Sequence, residues 1–431
     1  MVLIVDLCYP ILHRINVAEK LAKPLNLSYF ISKRISRDQK KGFASSIHTI
    51  AIVIVGVGLA AVIISFLIMR GFQETVKNKI YSFNGHLMVA KYTMNYSPEE
   101  QPMNFYIDLY KNLQEYPEVK HVQEYAHKAG LIKTSSDEVL GIIVKGIGRS
   151  YDQKAFQENI VEGKFIDFPD SGYSKQVVIS KIVADKLQVK VGDEIIIHFF
   201  QNPPRARKLT VAGIYETNLS EYFDSSVILG DLRMIQRLND WSDSLAGGLE
   251  VFVKDASVIQ DVGYEIAEKM DFDLSIESVD EKYIQVFEWL NLISRQVNIL
   301  LGVILVVISV NIVSIVLILV MERTQMIGLL KALGGGNKFI RSVFIYNGVN
   351  LISKGLLLGN AIGLGLCYIQ YQFKIVKLNP HDYYMSFVPI SWEWEVVLML
   401  NLFTFLVVSL VLLLPTMVIS RINPIKAIRF D

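Results

Sequence analysis

Cysteine is almost absent from these 431 residues. Cys8 and Cys367 are the two present, one near the start and one inside an apolar stretch, so neither a disulfide framework nor a thiolate metal site is implied. The seven histidines are scattered without ligand spacing, and His121 and His127, six apart, read as ordinary surface residues. No G-x-x-x-x-G-K-[ST] phosphate loop, H-E-x-x-H, EF-hand loop or G-x-S-x-G occurs. Acidic residues are dispersed through the middle of the chain, as on a solvated face. Catalysis by this chain alone therefore has no support, and no metal or cofactor is expected on it.

Long stretches also lack charge, in a chain that is 52% hydrophobic. Residues 50–69 form a run of 20 without an ionisable group, and 297–321 and 396–420 form runs of 25. Each can span a hydrocarbon core about 30 Å thick. A fourth span lies in 343–373, interrupted by Lys354 but uncharged over the 19 residues 355–373. Lys354 must snorkel, pair, or mark a later start of that span. The other three centres hold no ionisable group; Asn298, Asn311, Asn401 and Thr404 supply their stronger polarity. A proton- or ion-coupled carrier would need charges at depth, so energy for any work must come from elsewhere.

The net charge of +1 conceals a partition. Residues 1–49, 322–341 and 421–431 together hold 15 Lys and Arg against 5 Asp and Glu, which places them in the cytoplasm. Residues 72–288 hold 23 basic and 34 acidic side chains and form the external part. Four spans put both termini on the cytoplasmic side. The opening MVLIVDLCYPILHR has Asp6 within its apolar run, no basic n-region and no small-x-small site, so it is expected to be neither a signal peptide nor a lipid anchor.

Leu27, Phe30, Ile31 and Ile35 recur at helical spacing among basic residues. An amphipathic helix on the inner leaflet and a positive-inside flank without fixed structure both fit. In the 217 external residues, strand-like runs at 176–180, 194–200, 209–214 and 249–253 alternate with helical patterns at 181–187, 232–238 and 256–270, which predicts an α+β domain. A helical approach to span 2 from about residue 280 would make a stalk beyond the bilayer. Gly355, Gly359 and Gly363 repeat every four residues, a spacing that serves a dimer seam or an intramolecular helix pair equally well. Tyr383, Tyr384, Trp392 and Trp394 suit an aromatic belt.

Between spans 2 and 3 lies ERTQMIGLLKALGGGNK, where Ile327, Leu330 and Leu333 keep helical spacing, Leu329 and Ala332 widen that face, and Gly334 to Gly336 stop the helix. Taken alone it is a capped helix in a basic turn. ERTQMIGLLKALGGGNKFI resembles the coupling segment of the FtsX-like ABC transporter permeases, of general form E-[KR]-x-x-x-I-[AG]-x-L-[KR]-x-[LM]-G. NLSYFISKRI, LIMRGFQETVKNKIYSFNGHLMV, LNPHDYYMSFVPISW and SRINPIKAIRFD resemble stretches of its lipoprotein-releasing (Lol-type) branch. The likeness runs from about Asn26 to Asp431.

The resemblance implies an α-helical membrane protein with four transmembrane helices and a large α+β periplasmic domain inserted between helices 1 and 2. The expected order is an extension of unassigned status over 1–24, an interfacial helix 25–44, span 1 at 45–71, and the periplasmic domain 72–288. Span 2 with its stalk follows at 289–321, then the coupling helix 322–341, span 3 at 343–373, a periplasmic loop 374–395, span 4 at 396–420 and a cytoplasmic tail 421–431. By resemblance, Glu322, Arg323, Ile327, Gly328, Leu329, Lys331, Ala332, Leu333 and Gly334 engage a separate ATPase subunit carrying ATP and magnesium. An identical or paralogous permease chain completes the dimer. The implied activity is ATP-driven extraction of lipoproteins from the outer leaflet of the bacterial inner membrane, in contact with membrane lipid and without nucleic acid.

The same branch places a hairpin that holds a periplasmic lipoprotein carrier where FFQNPPRARKLTV stands. Pro203 and Pro204 at its tip and the basic Arg205, Arg207 and Lys208 fit such a role; a plain proline turn fits equally. Two alternatives within the superfamily are a MacB-like exporter of peptides or antibiotics and an FtsX-like signalling permease controlling cell-wall hydrolases. The first usually carries its ATPase on the same chain, and the second a much smaller external domain.

Overall fold

A computed structural model describes residues 27–38, 43–94, 97, 99–133, 139–219 and 223–421. The expectations for 1–24 and for the tail beyond 421 lie outside them. The chain divides into two compact units, one of Met1–Met69, Ser294–Phe373 and Ile390–Asp431, the other of Arg70–Ile293 with Lys374–Pro389.

The first unit is helical. Its elements are α1 (Leu27–Asp38), α2 (Phe43–Asn84), α3 (Ile284–Glu322), α4 (Thr324–Ala332), α5 (Asn337–Phe373) and α6 (Trp394–Val411). Among the described residues four helical stretches are long and apolar enough to cross a membrane: Ser46–Asn84, Ile284–Glu322, Asn337–Phe373 and Trp394–Ile419. At roughly 1.5 Å per residue, α2 and α3 are each about 60 Å long, twice a hydrocarbon core of about 30 Å. Their far ends, from Arg70 onward and up to Ile293, belong to the second unit.

Apolar surface alone does not hold helices together in lipid, so close backbone approach and polar contacts must do so. The glycine face of α5 lies against α2 of the same chain. A Cβ at Gly355 would sit 2.6 Å from Val55 Cβ, one at Gly359 2.7 Å from the Gly56 carbonyl, and one at Gly363 3.1 Å from Ala60 Cα. On another face of α5, the Asn360 and Asn401 amides exchange hydrogen bonds of 2.6 and 2.9 Å with α6. Each amide nitrogen also donates to its own helix, to Leu356 and Val397 carbonyls. Buried Ser28 and Ser32 let α1 lie along α5, with Tyr29 edge-on to Tyr346 at 5.9 Å. Phe30, from the apolar stripe of that helix, is exposed.

The second unit is built on strands β1 (Leu87–Lys91), β2 (Met103–Asn104), β3 (Val119–Lys133), β4 (Val139–Ile147), β5 (Ile160–Gly163), β6 (Gln176–Ser180), β7 (Glu194–Phe199), β8 (Arg205–Tyr215), β9 (Val227–Asp231), β10 (Leu245–Ala246), β11 (Gly248–Val253) and β12 (Leu274–Ser278). Ten of them form one sheet in the order β12-β1-β11-β3-β4-β9-β6-β8-β5, with β7 bridging β3 and β8; β2 and β10 pair separately. The β4/β9 and β6/β8 pairs are parallel. A parallel pair needs a crossover, and the helix Lys181–Leu187 opens the one after β6. Ser180 caps its start by accepting from the Val183 N–H at 3.0 Å, and Gln188 ends it at φ +56°. Residues 374–389, part of the loop expected over 374–395, belong to this unit: Lys377 bridges to Phe387, and Met385 is 4% exposed within the core.

Into that core comes the end of α2. Gly85, at φ +72°, stops the helix with its N–H on the Tyr81 carbonyl, and Val76, Ile80, Tyr81 and Phe83 are buried. Lys145 of β4 donates to the Phe83 carbonyl, placing a cation at the helix C-terminus where the dipole favours it. Lys145 and Glu250 of β11 form an ion pair of 2.6 Å with both side chains wholly buried, and Gln123 of β3 donates to the other Glu250 oxygen at 2.7 Å. Burial drives the Lys145 pKa down, opposed by the Glu250 charge.

Two predictions follow from this packing. Gly359→Leu forces a side chain into the α2 backbone and should lower stability by about 1–3 kcal/mol or more, whereas Gly365→Leu, with nothing within 4 Å of its Cβ, should be neutral. Thermal unfolding in detergent distinguishes them. Lys145→Met, which strands Glu250, should cost about 3–5 kcal/mol, and adding Glu250→Leu should recover much of that loss; a double variant no better than the single would contradict this account.

Candidate functional site

The connector between α3 and α5 is one short helix set between two breaks. Arg323 leaves helical geometry at φ −103°, ψ +18°, and the Thr324 hydroxyl satisfies the freed end of α3 by donating to Met321 at 2.7 Å. At the other end Gly334 takes φ +89°, and the N–H groups of Gly334 and Gly335 return to the carbonyls of Lys331 and Leu330 at 3.0 and 2.8 Å. Only a residue without Cβ adopts that conformation freely, which is the C-terminal stop glycine provides.

The apolar face foreseen for α4 divides in two. Ile327 is 0% exposed, Gly328 is buried and Leu330 is half-buried, so these seat the helix on its own unit. Lys331 adds a tether by donating to the Ile419 carbonyl at 2.9 Å. Leu329 and Leu333 are 56% and 77% exposed, with Ala332, Gly334 and Glu322 beside them on the open side, and Arg323 is half-buried. Met321, at the end of α3, is 73% exposed as well. It was not singled out in the sequence because it reads as the last residue of span 2. These are apolar side chains that the connector leaves exposed.

The second candidate, the β7–β8 hairpin, closes at the Phe199–Arg205 pair and leaves residues 200–204 as its tip. Asn202, Pro203 and Pro204 are exposed there, as is Phe200 at 59%. Its cations are partly committed. Arg205 donates to the carbonyls of Arg237 and Leu238, at the end of helix Leu232–Leu238, and pairs with Asp240 at 3.1 Å. Lys208 pairs across the strands with Glu194 at 2.6 Å. Arg207 donates to the Ala206 carbonyl. Of the residues proposed in the sequence, the prolines face outward, Arg207 is half-buried, and Phe200 is the exposed residue overlooked. Alternation along β7 places Phe200 one position beyond buried Phe199, and that was its signal.

The third set, Gly355, Gly359 and Gly363, is occupied by contact with α2. Among the described residues no group of three or more His, Cys, Asp and Glu is placed to hold a metal ion.

Comparison with known proteins covers both units. Residues 49–269 match the MacB-like periplasmic core domain, and residues 298–424 match the FtsX-like permease C-terminal region. The lipoprotein-releasing system transmembrane protein LolE of Haemophilus influenzae is 24% identical over 87% of this chain and 92% of its own length. The lipoprotein-releasing system transmembrane protein LolC of Xylella fastidiosa is 21% identical over 95% and 99%. The periplasmic region of MacB from Actinobacillus actinomycetemcomitans aligns with half of this chain and 98% of that one, at 13% identity and a TM-score of 0.33, too low to bear on the fold. With four apolar helices and an α+β domain between the first and second, this multi-pass membrane protein belongs to the family of FtsX-like permeases that carry a MacB-like periplasmic core domain.

Proposed function

We propose that this chain is the permease subunit of an ABC transporter that draws lipoproteins from the outer leaflet of the bacterial inner membrane for delivery toward the outer membrane. The carrying observation is the divided face of α4: Ile327 fixes the helix to its own unit while Leu329, Leu333 and Met321 stand free. A chain with no phosphate loop needs an outside motor, and this surface on the basic side suits an ATPase subunit that brings ATP and magnesium. The near full-length likeness to lipoprotein-releasing relatives supplies the cargo class. A second permease chain, identical or paralogous, completes the assembly, with both termini in the cytoplasm.

The exposed faces of the first two spans suit that cargo. Ile50, Val53 and Val57 of α2 and Ile299, Val303, Val306 and Val310 of α3 offer uncharged surface. Each CH₂ of an acyl chain buried there or in the bilayer is worth about 0.8 kcal/mol. Extracting several chains is therefore work on the scale of ATP hydrolysis. The tip of the β7–β8 hairpin is the surface we assign to a periplasmic lipoprotein carrier.

Leu329→Glu should abolish co-purification of the ATPase while leaving this chain folded, because Leu329 stands clear of the core. Gly328 is a poorer probe, since its buried position makes any side chain disturb the seat of α4. Association that survives Leu329→Glu overturns the coupling role. For the hairpin, Phe200→Ser combined with Pro204→Ser should weaken carrier retention at least tenfold in pull-downs, whereas Arg205→Glu acts by unfastening the hairpin from Asp240. Undiminished retention in the double variant would leave the tip without a docking role.

A further inference from the structure

Lys79 lies on the part of α2 that belongs to the second unit, and three segments distant in sequence converge near it. Its Nζ donates to the Thr217 carbonyl at 2.6 Å and to the Tyr384 carbonyl at 2.8 Å. The Thr217–Asn218 peptide is held from its other side as well. Asp224, 2% exposed, accepts from the Asn218 N–H at 2.8 Å, from the Thr217 N–H at 3.1 Å and from the Thr217 hydroxyl at 2.7 Å. One peptide group thus carries a cation at its carbonyl end and a carboxylate at its N–H end, an arrangement in which each hydrogen bond strengthens the other. Burial pushes the Asp224 carboxyl above the usual range, while its three donors and the Lys79 charge pull it back.

The Tyr384 side of the contact is equally constrained. Tyr384 takes φ +59° with its N–H on the Pro380 carbonyl at 2.9 Å, and its ring meets Trp289 of α3 edge-on at 5.7 Å. Around it the chain folds back on itself: Leu378 and Val388 N–H groups bond to Ser386 and Val376 carbonyls, and Met385 is buried in the domain core. Residues 374–389 are continuous with α5 at one end and lead to α6 at the other. A displacement of either helix therefore pulls on a segment that Lys79 fastens to α2.

We propose that Lys79 is a positioning residue for transport, clasping the 374–389 segment and the Thr217–Asn218 peptide to α2 so that movement of the spans reaches the inserted domain as one displacement. This rests on the transporter reading above. The two carbonyls accept from a lysine or an arginine but lose their partner in Lys79→Met.

The test uses the complex purified from native membranes, carrying wild type, Lys79→Met or Lys79→Arg, with two readouts. Hydrogen exchange of residues 376–388 should rise at least tenfold in Lys79→Met, and the amount of lipoprotein released per ATP hydrolysed should fall at least threefold. Lys79→Arg should restore both. Should Lys79→Met fail to assemble, Asp224→Asn, which removes the charge behind the Thr217–Asn218 peptide, should move both readouts in the same direction by a smaller factor. Unchanged exchange overturns the clasp. Raised exchange with an unchanged release-to-hydrolysis ratio overturns its role in transport, as does a proportional fall of release and hydrolysis, which marks a merely structural residue. A wild-type complex that releases no lipoprotein refutes the transporter reading instead, and the exchange readout then decides the clasp by itself.

Discussion

Lys145 is closed off from solvent beside the Phe83 and Tyr125 rings, where Glu250 faces it at 2.6 Å and the Phe83 carbonyl accepts a hydrogen bond from it. Taking two charges out of water costs several kcal/mol each, so the pair adds little net stability over apolar residues of the same size. What it adds is definition. Of the positions along β4 and β11, one register alone brings the two charges together, and one placement of α2 alone brings the last carbonyls of that helix to the lysine. The junction ties β11 to β4 across the intervening β3 and meets α2 two residues before its stop at Gly85.

A different physics holds the helical unit. Lipid offers no hydrophobic reward for joining helices, so contact there is made by shape and by amides. Gly355, Gly359 and Gly363 remove side chains from one face of α5, and α2 fills the space; Asn360 on another face reaches Asn401. The two faces make α5 the element on which α2 and α6 are both seated. Rigid seating of this kind lets a push at one end of a helix arrive at the other, because a well-packed interface shifts as a body.

Much of this architecture was legible in the sequence. The four spans follow from uncharged runs longer than a bilayer requires, and the α+β character of the inserted domain follows from alternating patterns at 176–214. The connector could be located and its glycine stop foreseen, because both are local. Which of its leucines face inward was not legible, since the periodicity that marks one stripe does not say how much of that stripe the neighbouring helices cover. Leu329 and Leu333 show this: they belong to the stripe and still face outward. Pairings across long separations were also hidden. Lys145 and Glu250 each appear as a lone charge in an otherwise apolar strand, VLGIIVKGI and GLEVFV, and that anomaly was their signal; that they answer one another needs the sheet order. Lys79 had no comparable mark, because its partners are backbone carbonyls, which every residue possesses.

The hairpin at residues 200–204 is fastened by two of its own cations. Arg205 is spent on a helix end and Asp240, and Lys208 on Glu194. Charges neutralised at contact distance project little field beyond a Debye length of about 8 Å at physiological salt. These two cations therefore add little to electrostatic steering, and at close range the tip presents the Phe200 ring and two prolines. Contact offered by such a surface is apolar more than ionic, and apolar contact changes little with the ionic strength of the surrounding medium.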